Sequence, residues 1–298
     1  MTFIATSAIC FGEVLWDVFP DKKVIGGAPL NVALRLQSFE IDTSIISAIG
    51  QDKLGKNLIS FISEHGLQTN LIQYSEQYPT GTVEVFLDTE GSASYKIKKP
   101  VAWDYILHND KNSKAVSEAE VLIFGSLACR NIRSRDTLME LLSKANFTVF
   151  DVNLRPPDYT IAFVLELMNR SDFIKLNDEE LHLISTHLGF ENKSMEDQVK
   201  SLAKHTQTKN ICVTKGSKGA LLFLDGLFYN NTGYKVKVKD TVGAGDSFLA
   251  ALVYKLLFKK SEPHIALDFA CKVGALVASK KGASCDVSQK EIEKLEEK

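Results

Sequence analysis

Short apolar runs rich in β-branched residues alternate along most of the chain with stretches whose apolar residues recur at helical spacing. This alternation is typical of parallel strands joined by helices that cover a central sheet. The pattern predicts an α/β fold, a three-layer sandwich with a mostly parallel central sheet flanked by helices. The predicted strands span residues 8–19, 44–50, 121–127, 148–153, 173–176 and 210–214, and the predicted helices span residues 29–39, 52–65, 133–145, 178–186 and 194–205.

Two stretches, 14–25 and 81–98, interrupt the alternation, because they are extended chain with turns at PDKK and DTEG. They predict a small accessory β-sheet. Strands outside the main sheet cannot bury both faces alone, so we expect this sheet to act as a lid over a ligand cleft or to pair with a second subunit in a homodimer. No linker rich in Pro, Gly or Ser and no internal repeat divides the chain, which predicts one domain over residues 1–298.

The composition is that of an ordinary globular protein, with 298 residues, 45% hydrophobic, 24% charged and a formal net charge of -2. This balance excludes a disordered chain and gives no global electrostatic support for binding nucleic acid or an anionic membrane. The first residues lack the basic segment of a signal peptide, no apolar run reaches 18 residues, and the five cysteines include no C-x-x-C pair. We therefore expect a cytoplasmic protein with buried, reduced thiols.

The strongest chemical signal is the segment YKVKVKDTVGAGDSF, in which an alternating run at 234–239 predicts a strand that leads into a glycine-rich turn and an apolar helix. Gly243, Ala244 and Gly245 carry little or no side chain, so their N–H groups at a helix start can bind an anion. Asp246 follows directly. The N–H groups and the helix dipole keep its carboxylate ionised, as a general base requires.

The same turn has a second interpretation, because an acidic residue at the start of a helix is stabilising without any catalytic role. The residues of this motif alone leave both interpretations open. Two nucleotide-binding loops are excluded by inspection. The chain has no G-x-x-x-x-G-K-[ST] sequence, and Phe248 stands where the dinucleotide-binding G-x-G-x-x-G motif needs glycine.

A second glycine motif, VIGGAPLN, lies near the start of the chain. Gly26 and Gly27 let the backbone come close to a ligand, and Pro29 is favoured in the first turn of a helix. Asn31 projects from that turn with a donor and an acceptor, which suits a polyhydroxylated ligand. The G-G-x-P sequence is also an ordinary turn into a helix, so this motif alone does not decide the function.

Together, GGAPLNVA and DTVGAGDSF resemble the two signatures of the ribokinase-like (PfkB) family of carbohydrate kinases, in the family's order and near opposite ends of the chain. The segments GEVLWDVFP, DVNLRP, KLNDEEL and TKGSKG are similar to further elements of that family, so the resemblance covers nearly the whole chain. The opening segment together with GGAPLN is most similar to the bacterial fructokinase branch. After Ala283, the segment CDVSQ departs from the family pattern.

The resemblance implies a role for each matching residue. Those implied to carry catalysis are Asp246 as the proton acceptor, Gly243, Ala244 and Gly245 around the transferred phosphoryl group, and Arg155 beside it. Those implied to bind the sugar are Asp17, Gly26, Gly27, Asn31, Tyr95 and Asn153. Those implied to bind the nucleotide and its phosphates are Thr214, Gly216, Gly219, Asn177 and Glu180, with Glu180 placing Mg²⁺ through water. Those that match the site of a monovalent cation, K⁺ in this interpretation, are Asp240, Val242 and Ala283.

The resemblance implies an ATP-dependent kinase that phosphorylates the primary hydroxyl of a sugar, with fructose as the expected substrate and fructose 6-phosphate as the product. Alternatives within this class are another ketose, 2-keto-3-deoxygluconate, ribose or a nucleoside. A non-catalytic sugar-binding regulatory protein is the alternative from a different class, but it would be expected to have lost Asp246 or the glycines, and all are present. The N-x-x-E element at Asn177 and Glu180 is also an ordinary capping arrangement of a helix.

Overall fold

The computed structural model describes residues 7–87 and 93–295. The chain forms two compact units, Met1–Asn146 and Phe147–Lys298. In each unit, strands and helices alternate along the chain, as the hydrophobic pattern predicts. A single domain over residues 1–298 stays a prediction.

The first unit has a parallel sheet and a second, smaller sheet. Its strands are β1 (Ser7–Phe11), β2 (Leu15–Val18), β3 (Lys23–Gly26), β4 (Asp42–Gly50), β5 (Ile72–Ser75), β6 (Gly81–Leu87), β7 (Ala93–Ile97) and β8 (Val121–Gly125). Its helices are α1 (Ala28–Ser38), α2 (Lys53–Glu64), α3 (Asp110–Glu118) and α4 (Ile132–Leu142). The parallel sheet has the spatial order β8-β1-β4-β5. β1, β4 and β8 are mostly buried apolar runs, as expected for parallel strands covered by helices such as α1.

The small sheet has the order β3-β2-β6-β7. β2 pairs with β3 in antiparallel and with β6 in parallel orientation, and β6 pairs with β7 in antiparallel orientation. The accessory sheet predicted from 14–25 and 81–98 is therefore confirmed, apart from residues 88–92, which lie outside the described residues. Tyr95 pairs with Val85 in this sheet, and its side chain also lies outside the described part of the chain.

The single strand predicted at 8–19 is wrong, because this segment forms two strands in different sheets. β1 ends at Phe11 and β2 begins at Leu15. Gly12 between them has φ +145°, and a Cβ at this position would lie 2.7 Å from Pro29 Cγ. The backbone leaves the parallel sheet at a glycine that tolerates this conformation and this close contact, which the continuous apolar pattern conceals.

Asp52 caps α2 and connects it to the segment that precedes β6. Its Oδ1 accepts hydrogen bonds from Gly55 N and Thr80 Oγ1, and its Oδ2 accepts from Thr80 N, each at 2.8 Å. Partial burial alone would raise the pKa of Asp52, but these hydrogen bonds outweigh it and hold the pKa below its ordinary value. The ionised carboxylate is therefore part of the packing of this unit.

The second unit has parallel strands extended by an antiparallel edge. Its strands are β9 (Thr148–Asp151), β10 (Phe173–Asn177), β11 (Asn210–Thr214), β12 (Ala220–Leu224) and β13 (Leu227–Asn231). Its helices are α5 (Ile161–Met168), α6 (Asp178–Leu188), α7 (Met195–Thr206), α8 (Ala244–Val253), α9 (Pro263–Ala278) and α10 (Gln289–Lys294). β9, β10 and β11 are parallel neighbours in that order, and β12 and β13 continue the sheet in antiparallel orientation. α8 and α9 pack against each other.

The strand predicted at 234–239 is also wrong, since residues 232–243 form no strand. Tyr234 is buried and its hydroxyl donates to Asp268 of α9. The N–H groups of Lys239 and Asp240 donate to the carbonyl of Ala278 at the end of α9, at 2.9 and 3.3 Å. The backbone of this segment therefore bonds to a helix end, and its alternating pattern does not come from strand pairing.

Among the described residues, no helix combines the length and the apolar composition needed to cross a membrane. Four cysteines are buried free thiols, as predicted, and burial raises the pKa of each thiol; they are Cys10, Cys129, Cys212 and Cys271. Cys285 differs, because it lies in the loop after α9 and is only partly buried.

Candidate active site

The glycine-rich turn of the second unit lies at the start of α8. Gly243 is the N-cap residue and has φ +75°, a left-handed conformation that glycine adopts without strain. A Cβ at this position would lie 2.3 Å from Ala283 Cβ and 2.7 Å from Ala283 Cα. Glycine is therefore required here for two reasons, the backbone conformation and the close contact with Ala283.

The N–H groups of this turn are partly engaged within the turn itself. Ala244 donates to the carbonyl of Thr241 at 3.2 Å, and Ser247 donates to the carbonyl of Gly243 at 2.9 Å as the first bond of α8. Gly245 is exposed, and Asp246 is the acidic residue of the first helical turn, where the helix dipole favours a carboxylate. An anion bound by the Ala244 N–H would take the place of the Thr241 carbonyl as the acceptor of this hydrogen bond.

A buried ion pair lies next to this turn. Lys175, the third residue of β10, is the register partner of Asp151, the last residue of β9. Lys175 Nζ lies 2.9 Å from Asp151 Oδ1, and the two side chains are 9% and 6% exposed. A Cβ at Gly245 would lie 3.4 Å from the same Nζ. The middle of β10, the end of β9 and the start of α8 thus bring an ammonium group to the glycine turn.

Two further carboxylates, those of Glu180 and Asp246, interact electrostatically with Lys175 of this pair. Burial alone would lower the pKa of Lys175, but the carboxylates of Asp151, Glu180 and Asp246 outweigh it and hold the pKa above its ordinary value. Burial raises the pKa of Glu180, although the charge of Lys175 and hydrogen bonds from the backbone act in the opposite direction. The surrounding carboxylates therefore favour the charged form of the lysine.

The predicted N-x-x-E element forms a capping box at the start of α6. Asn177 Oδ1 accepts from Glu180 N and Glu180 Oε2 accepts from Asn177 N, both at 2.8 Å. Glu180 Oε1 accepts from Leu154 N at 2.8 Å. Each carboxylate oxygen of Glu180 already accepts a hydrogen bond from a backbone N–H group. A metal ion that contacted Glu180 directly would therefore have to share one of these oxygens with a backbone donor. Among the described residues, no group of three or more His, Cys, Asp or Glu is arranged to hold a metal ion.

The residues predicted to hold a monovalent cation lie around the glycine turn. Asp240 Oδ1 accepts from Val242 N, and Asp240 Oδ2 accepts from Gly282 N, each at 3.0 Å. Ala283 packs against Gly243. One carboxylate thus joins the segment before α8 to the loop after α9, and the structure brings Asp240, Val242 and Ala283 together.

The TKGSKG segment is the turn between β11 and β12. Gly219 is needed by the fold, because a Cβ there would lie 2.1 Å from the carbonyl oxygen of Asn231. Gly216 has φ +55° and open space around the position of a Cβ. Thr214 ends β11 and is partly buried. The nucleotide-binding role of these three residues stays a prediction.

Asn153 and Arg155 lie in the loop that follows β9. Asn153 has φ +37°, a backbone conformation that asparagine tolerates better than most residues. Arg155 is exposed, and its Nη1 donates to the carbonyl of Leu154 at 3.1 Å. No hydrogen bond shown among the described residues holds this guanidinium against the Lys175 pair, and the roles of Asn153 and Arg155 stay predictions.

In the first unit, the residues predicted to bind a sugar lie where β2, β3 and α1 meet. A Cβ at Gly26 would lie 2.6 Å from Asp17 Oδ2, so this carboxylate rests directly against the glycine backbone. Gly27 has φ +116°, and a Cβ there would lie 2.4 Å from the carbonyl oxygen of Glu13. Asn31 is buried one helical turn later, and its N–H donates to the carbonyl of Gly27 at 2.9 Å. The structure therefore brings Asp17, Gly26, Gly27 and Asn31 together.

Residues 1–290 match the pfkB family of carbohydrate kinases. The chain belongs to this family. The sugar kinase PH1459 of Pyrococcus horikoshii is 32% identical over 294 residues, which cover 95% of this chain and 90% of that protein. Fructokinase-2 of Solanum lycopersicum is 28% identical over 305 residues, which cover 92% of this chain and 91% of that protein.

Solved structures of family members are similar over nearly the whole chain. PH1459 in complex with ATP matches with a TM-score of 0.82 and 30% identity, over 93% of this chain and 94% of that chain. A fructokinase double mutant from Vibrio cholerae, with fructose, ADP and potassium bound, matches with a TM-score of 0.82 and 25% identity, over 97% of both chains. These likenesses confirm the predicted ribokinase-like α/β fold class, and the chain is a sugar kinase of the pfkB family.

Two residues near the glycine turn received no role from the sequence motifs, Lys175, which begins the segment KLNDEEL, and Gly274. Lys175 carries a signal of its own, because a lysine within the buried strand FIKLN must be compensated by a carboxylate. Gly274 of α9 has no such signal in the sequence. A Cβ there would lie 3.3 Å from both the carbonyl oxygen of Ala244 and Phe248 Cβ, so the absence of a side chain lets α9 pack against the first turn of α8.

Proposed function

We propose that this member of the family is an ATP-dependent fructokinase, which transfers the γ-phosphoryl group of ATP to the primary hydroxyl of fructose. The products are ADP and fructose 6-phosphate. The observation that carries the proposal is the turn Gly243–Asp246, in which a carboxylate follows glycines that pack on Ala283 and lie beside Lys175. The similarity to fructokinases, one of them with fructose and ADP bound, supports the choice of sugar.

Phosphoryl transfer requires positioning, neutralisation of charge and a proton acceptor, without covalent chemistry on the protein. In the proposal, Asp246 accepts the proton of the sugar hydroxyl as the hydroxyl oxygen bonds to the γ-phosphorus. The bond from the γ-phosphorus to the bridging oxygen breaks, and the electron pair leaves with ADP. The N–H groups of Gly243 and Gly245 stabilise the charge of the transferred group, and Ala244 contributes when its bond to Thr241 is exchanged. Arg155 adds positive charge beside the phosphates.

Recognition of the sugar is assigned to the glycine motif of the first unit. Asp17 presents a charged acceptor to the sugar hydroxyls, and the missing side chain of Gly26 lets this carboxylate lie against the backbone. Gly26 and Gly27 are assigned backbone contacts with the sugar. Asn31 adds an amide with both donor and acceptor capacity. Asn153 and Tyr95 are assigned the remaining sugar contacts.

The nucleotide is assigned to the turn after β11, at Thr214, Gly216 and Gly219, of which Gly216 has the most open surroundings. Asn177 and Glu180 are assigned to the phosphates. Their geometry fits Mg²⁺ held through water, because both oxygens of Glu180 accept backbone hydrogen bonds and because Mg²⁺ keeps several waters while binding substrate phosphates. When bound with ATP, Mg²⁺ supplies neutralisation of phosphate charge.

A monovalent cation is assigned to Asp240, Val242 and Ala283, and the contacts of these residues around the glycine turn support the assignment. The joining of these two loops by Asp240 fits a site whose occupancy stabilises the turn. When bound, K⁺ supplies positive charge near the developing phosphate charge.

The small sheet is proposed to act as a lid over the sugar, and its outer strands are proposed to pair two subunits in a homodimer. Saturating sugar should then slow hydrogen exchange in β2, β3 and β6. Unchanged exchange in these strands would count against a lid, and a monomer by light scattering would remove only the homodimer. We propose a cytoplasmic location for this kinase, because its proposed substrates, ATP and a free sugar, are available there.

The proposal is tested with Mg-ATP and a panel of sugars that includes fructose, ribose, 2-keto-3-deoxygluconate and a nucleoside, with ADP release as the signal. We expect fructose to give the highest kcat/KM and NMR to identify the 6-phosphate. A rate with another member of the panel about tenfold above that with fructose would refute the substrate. Absence of ADP release with every sugar would favour a non-catalytic sugar-binding protein.

The variant Asp246→Asn tests the proton acceptor. It is nearly isosteric and preserves the turn, so kcat should fall by about 10²–10⁴-fold while the affinity for the sugar changes little. A variant within a few-fold of the wild-type kcat, with chemistry shown to limit the rate, would return the turn to its purely structural interpretation.

A further inference from the structure

Lys175 is a charged residue in the middle of an apolar strand. Its neighbours in β10, Phe173, Ile174 and Leu176, are buried, and the lysine side chain itself is only 9% exposed. Holding an ammonium group in such a place costs free energy that a single ion pair often fails to recover. A lysine at this position therefore calls for an explanation beyond stability.

The ion pair with Asp151 does not use the full capacity of either partner. An ammonium group has three N–H donors, and the structure shows one acceptor for them among the described residues, Asp151 Oδ1. Asp151 Oδ2 is buried and has no hydrogen-bond partner among those residues. A pair that served packing alone would be expected to satisfy these groups, because each unpaired buried polar group is costly. Among the described residues, the pair therefore keeps hydrogen-bonding capacity that it does not use.

The ammonium group faces the glycine turn. Lys175 Nζ lies 3.4 Å from the position that a Cβ of Gly245 would occupy, so the missing side chain leaves open the space between Nζ and the start of α8. The N-terminus of a helix already carries partial positive charge. The fold thus places an ammonium group beside the start of α8, in a position to add to the positive charge that the helix presents to an anion at the turn.

Three carboxylates surround Lys175, and they differ in what they bond. Both oxygens of Glu180 accept backbone N–H groups. Asp246 interacts electrostatically with Lys175 from α8, as Asp151 does from β9 and Glu180 from α6. Of these three, Asp151 is the carboxylate that the structure shows bonded to Nζ, and it lies on the strand next to β10, where it fixes the position of the ammonium group.

We propose that Lys175, held in place by Asp151, supplies the positive charge that stabilises the transferred phosphoryl group at the Gly243–Gly245 turn. The inference rests on the proposed function in one respect, since it takes this turn as the site of phosphoryl transfer. It adds to that function a residue on β10 and a positioning residue, Asp151, on β9. The charge of Lys175 acts most strongly when negative charge accumulates on the phosphoryl group, so its loss should appear mainly in kcat.

The test uses the full-length protein, the sugar that the panel selects as the best substrate, and the phosphate ester of that sugar. The variants are Lys175→Met, Lys175→Gln, Asp151→Asn and the double variant Lys175→Met with Asp151→Asn. Lys175→Gln keeps a donor for Asp151 without the charge. The matched control is Lys272→Met, which removes a lysine whose Nζ lies 3.0 Å from Asp268 on α9.

We expect Lys175→Met and Lys175→Gln to lower kcat by about 10²–10³-fold, with less than about a threefold change in the KM of the sugar. Calorimetry should show the sugar phosphate binding at least about tenfold more weakly to both variants, while the unphosphorylated sugar binds as it does to the wild type. Lys175→Met leaves the Asp151 carboxylate buried without its cation, which should lower stability. The double variant should recover this stability but keep the low kcat. Lys272→Met should keep kcat within about twofold of the wild type.

A purely structural role predicts the opposite result for the double variant. Recovery of kcat to within about threefold of the wild type in that protein, or unchanged binding of the sugar phosphate by a folded Lys175→Gln, would overturn the proposal. Failure of the proposed function would be detected by other measurements, the ADP release with the sugar panel and the kcat of Asp246→Asn. A wrong choice of fructose leaves this test intact, because the substrate is whichever sugar the panel selects.

Discussion

Replacement of Gly243 by alanine should destabilise the protein through two separable effects. The residue has φ +75°, and an L-residue in the left-handed region costs about 1–2 kcal/mol. The new Cβ would lie 2.3 Å from Ala283 Cβ, and forcing a methyl group into a packed contact costs about 1–3 kcal/mol. The free energy of unfolding should therefore fall by about 2–5 kcal/mol.

Gly282 offers a matched control for the first effect. It has φ +79°, but no atom lies within 4 Å of the position of its Cβ. Gly282→Ala should therefore lose only the conformational part, about 1–2 kcal/mol. The difference between the two variants measures the contact with Ala283.

The contact itself is measured by a double-mutant cycle. Ala283→Gly in the Gly243→Ala background removes the methyl group that the new Cβ meets but leaves Ala283 Cα, 2.7 Å from that Cβ, in place. The coupling energy should therefore favour the pair of changes and recover only part of the packing cost of about 1–3 kcal/mol. Urea denaturation of the four proteins gives the energies, and kcat should recover together with stability. A Gly243→Ala variant as stable as Gly282→Ala would refute the tight packing of the turn.

Three further predictions concern the sugar, the cation and pH. Asp17→Ala removes a charged acceptor worth about 1.5–3 kcal/mol, so kcat/KM should fall by about tenfold to a hundredfold, mainly through KM; steady-state kinetics checks this, and a loss confined to kcat would contradict it. The rate should be higher in K⁺ than in tetramethylammonium, and equal rates would remove the cation site at Asp240, Val242 and Ala283. Asp52 has a lowered pKa, so its stabilising contribution is present above the ordinary pKa of a free aspartate and is lost as pH falls through the lowered value. Asp52→Asn should therefore be less stable than the wild type at pH 7, with a gap that narrows in acid; urea denaturation that shows the same gap at about pH 3 would be inconsistent with this account.

The parallel strands could be predicted closely because burial leaves few polar positions in them. β4, β8, β9, β10 and β11 all appear as short apolar runs, and their predicted positions agree with the structure. The hydrophobic pattern gives a wrong strand where the backbone bonds to a partner other than the neighbouring strand that the pattern implies. At Gly12 a glycine lets the chain change sheets within one apolar run, and at 234–239 the backbone bonds to the end of α9 and forms no strand.

The candidate site could be predicted in its local parts. The capping box of Asn177 and Glu180 closes within three residues, so the sequence specifies it directly. The contact between Asp17 and Gly26 depends on the pairing of β2 with β3, and the bond between Lys175 and Asp151 depends on the register of β9 and β10. Contacts of this kind are set by the assembled sheet, and spacing along the chain does not reveal them.

The close packing of Gly274 has a consequence for how related sequences are interpreted. A Cβ at this position in α9 would lie 3.3 Å from the Ala244 carbonyl oxygen and from Phe248 Cβ, so these neighbours would have to shift slightly for alanine and further for a larger side chain. A large side chain would therefore press on the turn that precedes Asp246. A random mutagenesis screen for inactive proteins should therefore recover substitutions at Gly274, although both glycine signatures remain intact in such proteins. Intact signatures alone do not guarantee a working enzyme, and a genome survey that relies on them would count such an inactive chain as a kinase.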